Sequence, residues 1–168
     1  MRRATRVVAA SALAVPVALG TPGLAAASTH STDPQHTSHG SAAGKRPLAG
    51  TGAAITAVNA ALDKQGSPYA SGRSGPSRFD CSGLVQYAYE QAGIKLPSST
   101  KAQRTEGRRV SQSDLRPGDV LFFYRSGSHA GIYVGDGKVV HAPGTGQGVK
   151  VENYKYVGPV NTIRRFGE

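Results

Sequence analysis

Apolar residues change their spacing part-way along the chain. Between Ala53 and Gln65, Ile55, Val58, Ala61 and Leu62 share one helical stripe, and Gly66 follows as a stop. Leu84, Val85, Ala88 and Ala92 repeat that spacing from Cys81 onward, with Asp80 at the N-cap position and Gly93 at the closing one. Ser98 or Ser99 can cap a short third helix running to about Thr105. Ser67 to Arg78, with Pro68, Gly72, Gly75 and Pro76, reads as loop. After the turn Arg116-Pro117-Gly118-Asp119 the pattern becomes that of short strands. They are Val120 to Tyr124, His129 to Val134, Lys138 to Ala142, Val149 to Asn153 and Val160 to Phe166. Helices first and strands second predict an α+β fold, with N-terminal helices packed on a C-terminal antiparallel sheet.

The first fifty residues do not share this pattern. Met1 to Ala27 carries Arg2, Arg3 and Arg6, an apolar run from Val7 to Gly20, and Ala25-Ala26-Ala27 as a small-residue cleavage site before Ser28. This is the layout of a secretory signal peptide (1–27), too short and too interrupted by Pro16 for a stable membrane span. Residues 28–50 are rich in Ser, Thr, Gly, Ala and Pro and read as a disordered linker. His30, His36 and His39 fall there with poor spacing for a metal site. The folded domain is expected over 51–168, room enough for one core and a monomer.

The formal charge is +10, and loss of the three arginines in the signal leaves +7. For an exported chain, a basic balance favours an anionic wall or surface. No aromatic-interleaved basic motif or helix-turn-helix pattern points to nucleic acid.

Cys81 is the only cysteine, so no internal disulfide can form. A single thiol in an oxidising compartment is either buried and inert or kept for chemistry. Its place in the first turn of a helix lets the helix dipole favour the nucleophilic thiolate. Outside the linker the only histidines are His129 and His141, in adjacent strands of one hairpin. A two-residue loop at Asp136-Gly137 would pair Gly135 with Lys138 and set His141 opposite Ile132, with the two rings on opposite faces. A three-residue loop, Gly135-Asp136-Gly137, pairs Val134 with Lys138 and Gly131 with His141, and puts both rings on one face. The three-residue register is expected, with Ala130, Ile132 and Val134 on the other face and Gly131 leaving room beside His129. An imidazole can take the thiol proton and return it to a departing amine, while a second polar group orients the ring. Cys81, His129 and His141 fill those roles in that order, and backbone N–H groups at the helix start can hold an oxyanion. The chemistry calls for no metal and no cofactor.

Four motifs in order carry a resemblance: Phe79-Asp80-Cys81-Ser82-Gly83-Leu84-Val85, Arg116-Pro117-Gly118-Asp119-Val120-Leu121-Phe122-Phe123, His129-Ala130-Gly131-Ile132-Tyr133-Val134-Gly135, and Val140-His141-Ala142-Pro143. Together they resemble the NlpC-type cysteine peptidases, papain-like enzymes of the bacterial cell wall, over roughly Ala53 to Phe166. The resemblance implies a secreted or wall-associated peptidoglycan endopeptidase that cuts stem peptides between D-γ-glutamate and the diamino acid. Cys81 matches the nucleophile, His129 the base and His141 the orienting residue. Tyr69 matches a tyrosine near the reacting carbonyl, and Asp80 and Ser82 match positions that help hold the stem peptide's free amine; Asp80 also reads as a plain N-cap. Ser71-Gly72-Arg73, Arg78 and Ser98 depart from the usual pattern. Arg73 is a candidate contact for a stem-peptide carboxylate. A cell-wall amidase of related fold, a non-catalytic wall-binding protein and an exported effector acting on another cell's wall remain as alternatives.

Overall fold

The computed structural model describes residues 51–168; the expected signal peptide and linker lie outside them. Helix α1 spans Gly52–Leu62, with the Thr51 hydroxyl accepting from the Ala54 amide at 3.3 Å. It buries Ala54, Ala57, Val58 and Ala61; of the expected stripe only Val58 and Ala61 are fully buried, while Ile55 and Leu62 are half-buried, so the packed face is turned toward the small residues Ala54 and Ala57. The chain leaves the helix through Gly66 at φ 83°. Helix α2, Cys81–Gln91, buries Leu84, Val85, Ala88 and Tyr89 and is closed by Gly93 at φ 78°. Helix α3, Thr100–Gln103, is a single turn capped by Ser99.

Six strands form one antiparallel sheet. They are β1 (Arg108–Arg109), β2 (Val120–Phe123), β3 (His129–Gly135), β4 (Lys138–His141), β5 (Lys150–Asn153) and β6 (Val160–Arg165). Their spatial order is β1-β6-β2-β3-β4-β5. The two-residue β1, a 3-10 turn at Gln112–Asp114 and a short helix α4 (Tyr154–Val157) are additions to the elements expected from pattern.

The two faces of the sheet have different covers. One packs Val120, Phe122, Ala130, Ile132 and Val140 against Ala57, Val58, Ala61, Leu84, Val85 and Ala88. The other carries Leu121, Phe123, Tyr133, Val139 and Ile163, with Val110, Tyr154 and Val157 laid over them. Strand β2 is therefore buried on both sides, which explains its unbroken apolar run Val120-Leu121-Phe122-Phe123. Each such side chain, fully buried, contributes roughly 1.5–3 kcal/mol.

The turn before β2 is tied to β6 by a buried, bidentate ion pair. Arg165 Nε and Nη2 reach the two Asp119 carboxylate oxygens at 2.6 and 2.8 Å. Asp119 also accepts from the Arg116 amide at 2.8 Å, and the Tyr89 hydroxyl donates to the Gly118 carbonyl. The Arg116–Asp119 motif thus fixes where the sheet meets the helices.

The β3–β4 hairpin corrects the expected loop. Gly135 pairs with Lys138, so the loop is the two-residue Asp136-Gly137, with φ 51° and 71°. Positive φ at both central residues is the type I′ geometry whose twist suits a hairpin. Yet Ile132 pairs with Val140 and Tyr133 with Val139. Val134 is an extra residue on β3, a bulge that restores the parity the tighter loop would have lost. The pairing beyond it runs toward Gly131 opposite His141, as expected, although the turn that produces it is different.

Candidate active site

Three elements converge at the start of α2. Asp80 caps the helix: its Oδ1 accepts from the Gly83 amide at 2.6 Å and from the Ser82 hydroxyl at 3.0 Å. Its Oδ2 accepts from the Gly72 amide at 2.7 Å, which ties the preceding loop to the same carboxylate. The Asp80 amide in turn donates to the Arg73 carbonyl at 2.8 Å. Gly83 is demanded by this arrangement, because a Cβ there would lie 2.0 Å from the Arg73 carbonyl oxygen. The Cys-Ser-Gly sequence therefore has a steric reason for its glycine as well as a chemical one for its thiol.

Tyr69, Arg73, Asp80 and Ser82 all lie on this loop and helix start. Tyr69 forms a parallel bridge with Phe79 and donates its amide to the Gln147 carbonyl at 3.0 Å. Its side chain is half-buried against the main core. Arg73 is exposed and Ser82 is buried. Below them the fully buried Gln103 donates to the Ser82 and Pro97 carbonyls at 3.0 and 2.8 Å, bracing the helix start from α3.

The thiol meets the sheet at the residue before His129: Cys81 Sγ lies 3.8 Å from the Ser128 carbonyl. His129 Nε2 is 2.7 Å from His141 Nδ1, with the two rings edge to face. Gly131 makes room for the second ring rather than the first: a Cβ there would stand 3.2 Å from the His141 Cβ and 3.3 Å from the Val139 Cβ. Ala130 and Ile132 point to the helices, as expected from the register.

A fourth polar residue extends this line. His141 Nε2 is 2.6 Å from Glu152 Oε1, and Lys150 Nζ is 3.2 Å from the same oxygen. On β5, Lys150 lies opposite His141 and Glu152 lies diagonal to it. Sequence reasoning missed Glu152; alternation along Lys150–Asn153 shows that Lys150 and Glu152 share a face, but not that this face meets His141. Tyr124 and Tyr156, the two exposed large aromatics among the described residues, join His129, His141, Lys150 and Glu152 around a cavity of about 260 Å³.

Burial governs the charges here. It pushes the Cys81 thiol upward, more than the N–H groups of Ala130, Ser82 and Cys81 pull it down, and the Asp80 charge adds to the rise. The thiolate preference expected from the helix dipole is thus reversed by desolvation at rest. His129 is lowered to about 4 by burial and by His141, with Glu152 opposing. His141 is also lowered, chiefly by burial. These directions favour a neutral thiol at Cys81 and neutral imidazoles at His129 and His141.

Comparison with known proteins decides the family. A model described as the NlpC/P60 family matches residues 66–165. The chain belongs to the NlpC/P60 family. It is 51% identical over 118 residues to a probable endopeptidase of Mycobacterium tuberculosis, covering 70% of this chain and 31% of that protein. A probable endopeptidase of Corynebacterium glutamicum is 43% identical over 125 residues, covering 74% and 58%. The match thus spans about a third to just over half the length of these curated relatives. Among solved structures, the peptidoglycan hydrolase RipB of Mycobacterium tuberculosis superposes with a TM-score of 0.64 and 28% identity over 69% of this chain and 65% of that one. An NlpC protein of Trichomonas vaginalis gives 0.64 at 38% identity, over 70% and 45%. These NlpC/P60 structures carry the same α+β architecture.

Proposed function

We propose that this NlpC/P60 chain is a cysteine endopeptidase that hydrolyses peptidoglycan stem peptides at the bond between D-γ-glutamate and the diamino acid. The observation that carries it is a lone thiol at a helix start, 3.8 Å from the carbonyl of Ser128 beside His129, whose ring is hydrogen-bonded to His141. The RipB likeness supports the substrate class, and the named endopeptidases support the reaction type.

In the first step His129 takes the Cys81 proton as sulfur attacks the scissile carbonyl carbon. Charge moves to the carbonyl oxygen, where N–H groups at the start of α2, that of Cys81 among them, can receive it. The imidazolium then gives its proton to the departing amine, the C–N bond breaks, and a thioester remains. Water, deprotonated by the same ring, releases the acid and returns the thiol. His141 holds the His129 ring through these exchanges. Asp80 accepts three hydrogen bonds within the fold, leaving about one of a carboxylate's four acceptor positions for a substrate amine beside Ser82 and Tyr69. Arg73 is positioned in sequence and exposure to meet a carboxylate.

The same reading places the protein outside the cytoplasm, with residues 1–27 as export signal, 28–50 as linker and 51–168 as the catalytic domain. The test compares the mature protein with Cys81→Ala on purified peptidoglycan, with released fragments weighed by mass spectrometry. Wild type releases stem-peptide fragments that begin at the diamino acid, leaving γ-glutamate on the glycan, and the variant, equally folded, releases none. Fragments cut at the glycan–peptide amide would make it an amidase; equal, negligible release from both would make it a binding protein.

A further inference from the structure

We infer that Glu152 is a positioning residue, which through His141 fixes the proton on His129 so that the nitrogen not bound to His141 is a free lone pair. The argument is a count of protons along two short contacts, 2.7 Å between His129 Nε2 and His141 Nδ1 and 2.6 Å between His141 Nε2 and Glu152 Oε1. An ionised carboxylate has no proton to donate, so His141 Nε2 must be the N–H donor. A neutral imidazole carries one N–H, so His141 Nδ1 accepts, and His129 Nε2 must donate to it. The remaining nitrogen of His129, Nδ1, then has no proton and is a base. One charge at the far end of the line sets the tautomer of both rings.

The ionisation states needed are the ones the surroundings favour. Burial opposes the Glu152 charge, but hydrogen bonds from Lys150 and His141 outweigh it and hold the carboxyl below its usual range. Burial keeps His141 neutral. The charged and titratable groups facing the line are Cys81 and Asp80 from α2 and its cap, His129 on β3, His141 on β4, Lys150 and Glu152 on β5, and the phenols of Tyr124 after β2 and Tyr156 on α4 across the cavity. When His129 takes the thiol proton, the Glu152 charge stabilises the imidazolium across the intervening ring, and Lys150 moderates that attraction.

This inference rests on the thiol–imidazole pair proposed above, but its test needs no peptidoglycan. The rate at which iodoacetamide alkylates Cys81 is measured against pH for wild type, Glu152→Gln, Glu152→Ala and Lys150→Met, each checked for folding by circular dichroism and thermal unfolding. At pH 7 the thiolate exists only as a pair with the imidazolium, so both Glu152 variants react about tenfold more slowly, the equivalent of one pKa unit. Well above the thiol pKa the thiolate forms without His129, and all four proteins react alike. Lys150→Met reacts at least as fast as wild type at pH 7. Equal rates for wild type and Glu152→Gln at both extremes would overturn the inference, and an equal loss at both would reduce Glu152 to a structural role. The expected alkylation pattern in a wild type that leaves peptidoglycan intact would uphold the relay and sink only the substrate assignment.

Discussion

The cysteine side and the histidine side of the site are held by different forces. Around Cys81 the fixing contacts are steric or made to the main chain: the Asp80 carboxylate on the Gly72 and Gly83 amides, the Arg73 carbonyl against Gly83, and the Gln103 amide on the Ser82 carbonyl. Around His129 they are side-chain hydrogen bonds running through His141 to the partly exposed Glu152. The position of Cys81 is therefore set by packing and by bonds to the main chain, and the state of His129 by a line of side-chain protons and charge.

The two glycines, one on each side, give the sharpest contrast. Gly83→Ala drives a Cβ to 2.0 Å from a backbone oxygen in a loop pinned by Asp80, with no flexible side chain to yield. The expected cost is about 3 kcal/mol or more, the upper end for forced packing, read as a fall in urea midpoint with loss of thiol reactivity. Gly131→Ala meets two β-carbons at 3.2 and 3.3 Å and the Val140 carbonyl oxygen at 3.4 Å, so a shift of a few tenths of an ångström relieves it. About 1 kcal/mol is expected there, with turnover falling because the displaced ring is His141. Equal costs at the two positions would break the distinction between a shape-fixed and a proton-fixed half.

Titration reads the histidine half directly. The folded pKa of His129, about 4, lies below the 6.5 of a free imidazole. Between those values the unfolded chain binds a proton that the folded one excludes, so stability rises with pH across that window and is lost on acidification. The effect is on the order of 2 to 3 kcal/mol, and the lowered His141 acts in the same direction. Cys81, raised by burial, acts oppositely: above about pH 9 the unfolded thiol ionises first and stability falls. Urea unfolding of wild type and His129→Gln at pH 4.5 and 7 checks the acidic arm. A slope unchanged by the substitution would show that His129 is not the group responsible.

Much of this arrangement was legible before any coordinates. The stripe Leu84, Val85 and Ala88 after a capping Asp80 placed Cys81 at a helix start, and the apolar run after Asp119 placed a strand, though not its interior position in the sheet. His129 and His141 stood out because the domain has no other histidines. What escaped has a common cause, which is long-range parity. Counting across the hairpin assumes an unbroken ladder, and the bulge at Val134 adds one residue that no turn motif announces. Glu152 meets His141 only because β5 pairs with β4 after the loop from Ala142 to Val149, whose path residue types do not specify. The thiol's resting state also escaped, since a helix start favours the thiolate while the burial that opposes it is a property of the packed fold.

Arg73 separates the recognition surface from the scaffold that carries it. Its carbonyl is structural, accepting from the Asp80 amide, whereas its side chain is exposed on the loop beside the helix start. Arg73→Ala keeps the carbonyl and removes only the guanidinium, so stability is expected to change by less than about 0.5 kcal/mol, the range for surface substitutions. If the guanidinium meets a stem-peptide carboxylate in solvent, the interaction is worth up to about 1 kcal/mol. That predicts a KM raised about threefold with kcat unchanged, because a contact made equally in the bound and transition states is uniform binding. The increase should shrink in high salt, where an exposed pair is screened. Unchanged KM at low salt would remove Arg73 from the substrate contacts and leave the cysteine half purely a scaffold for its thiol.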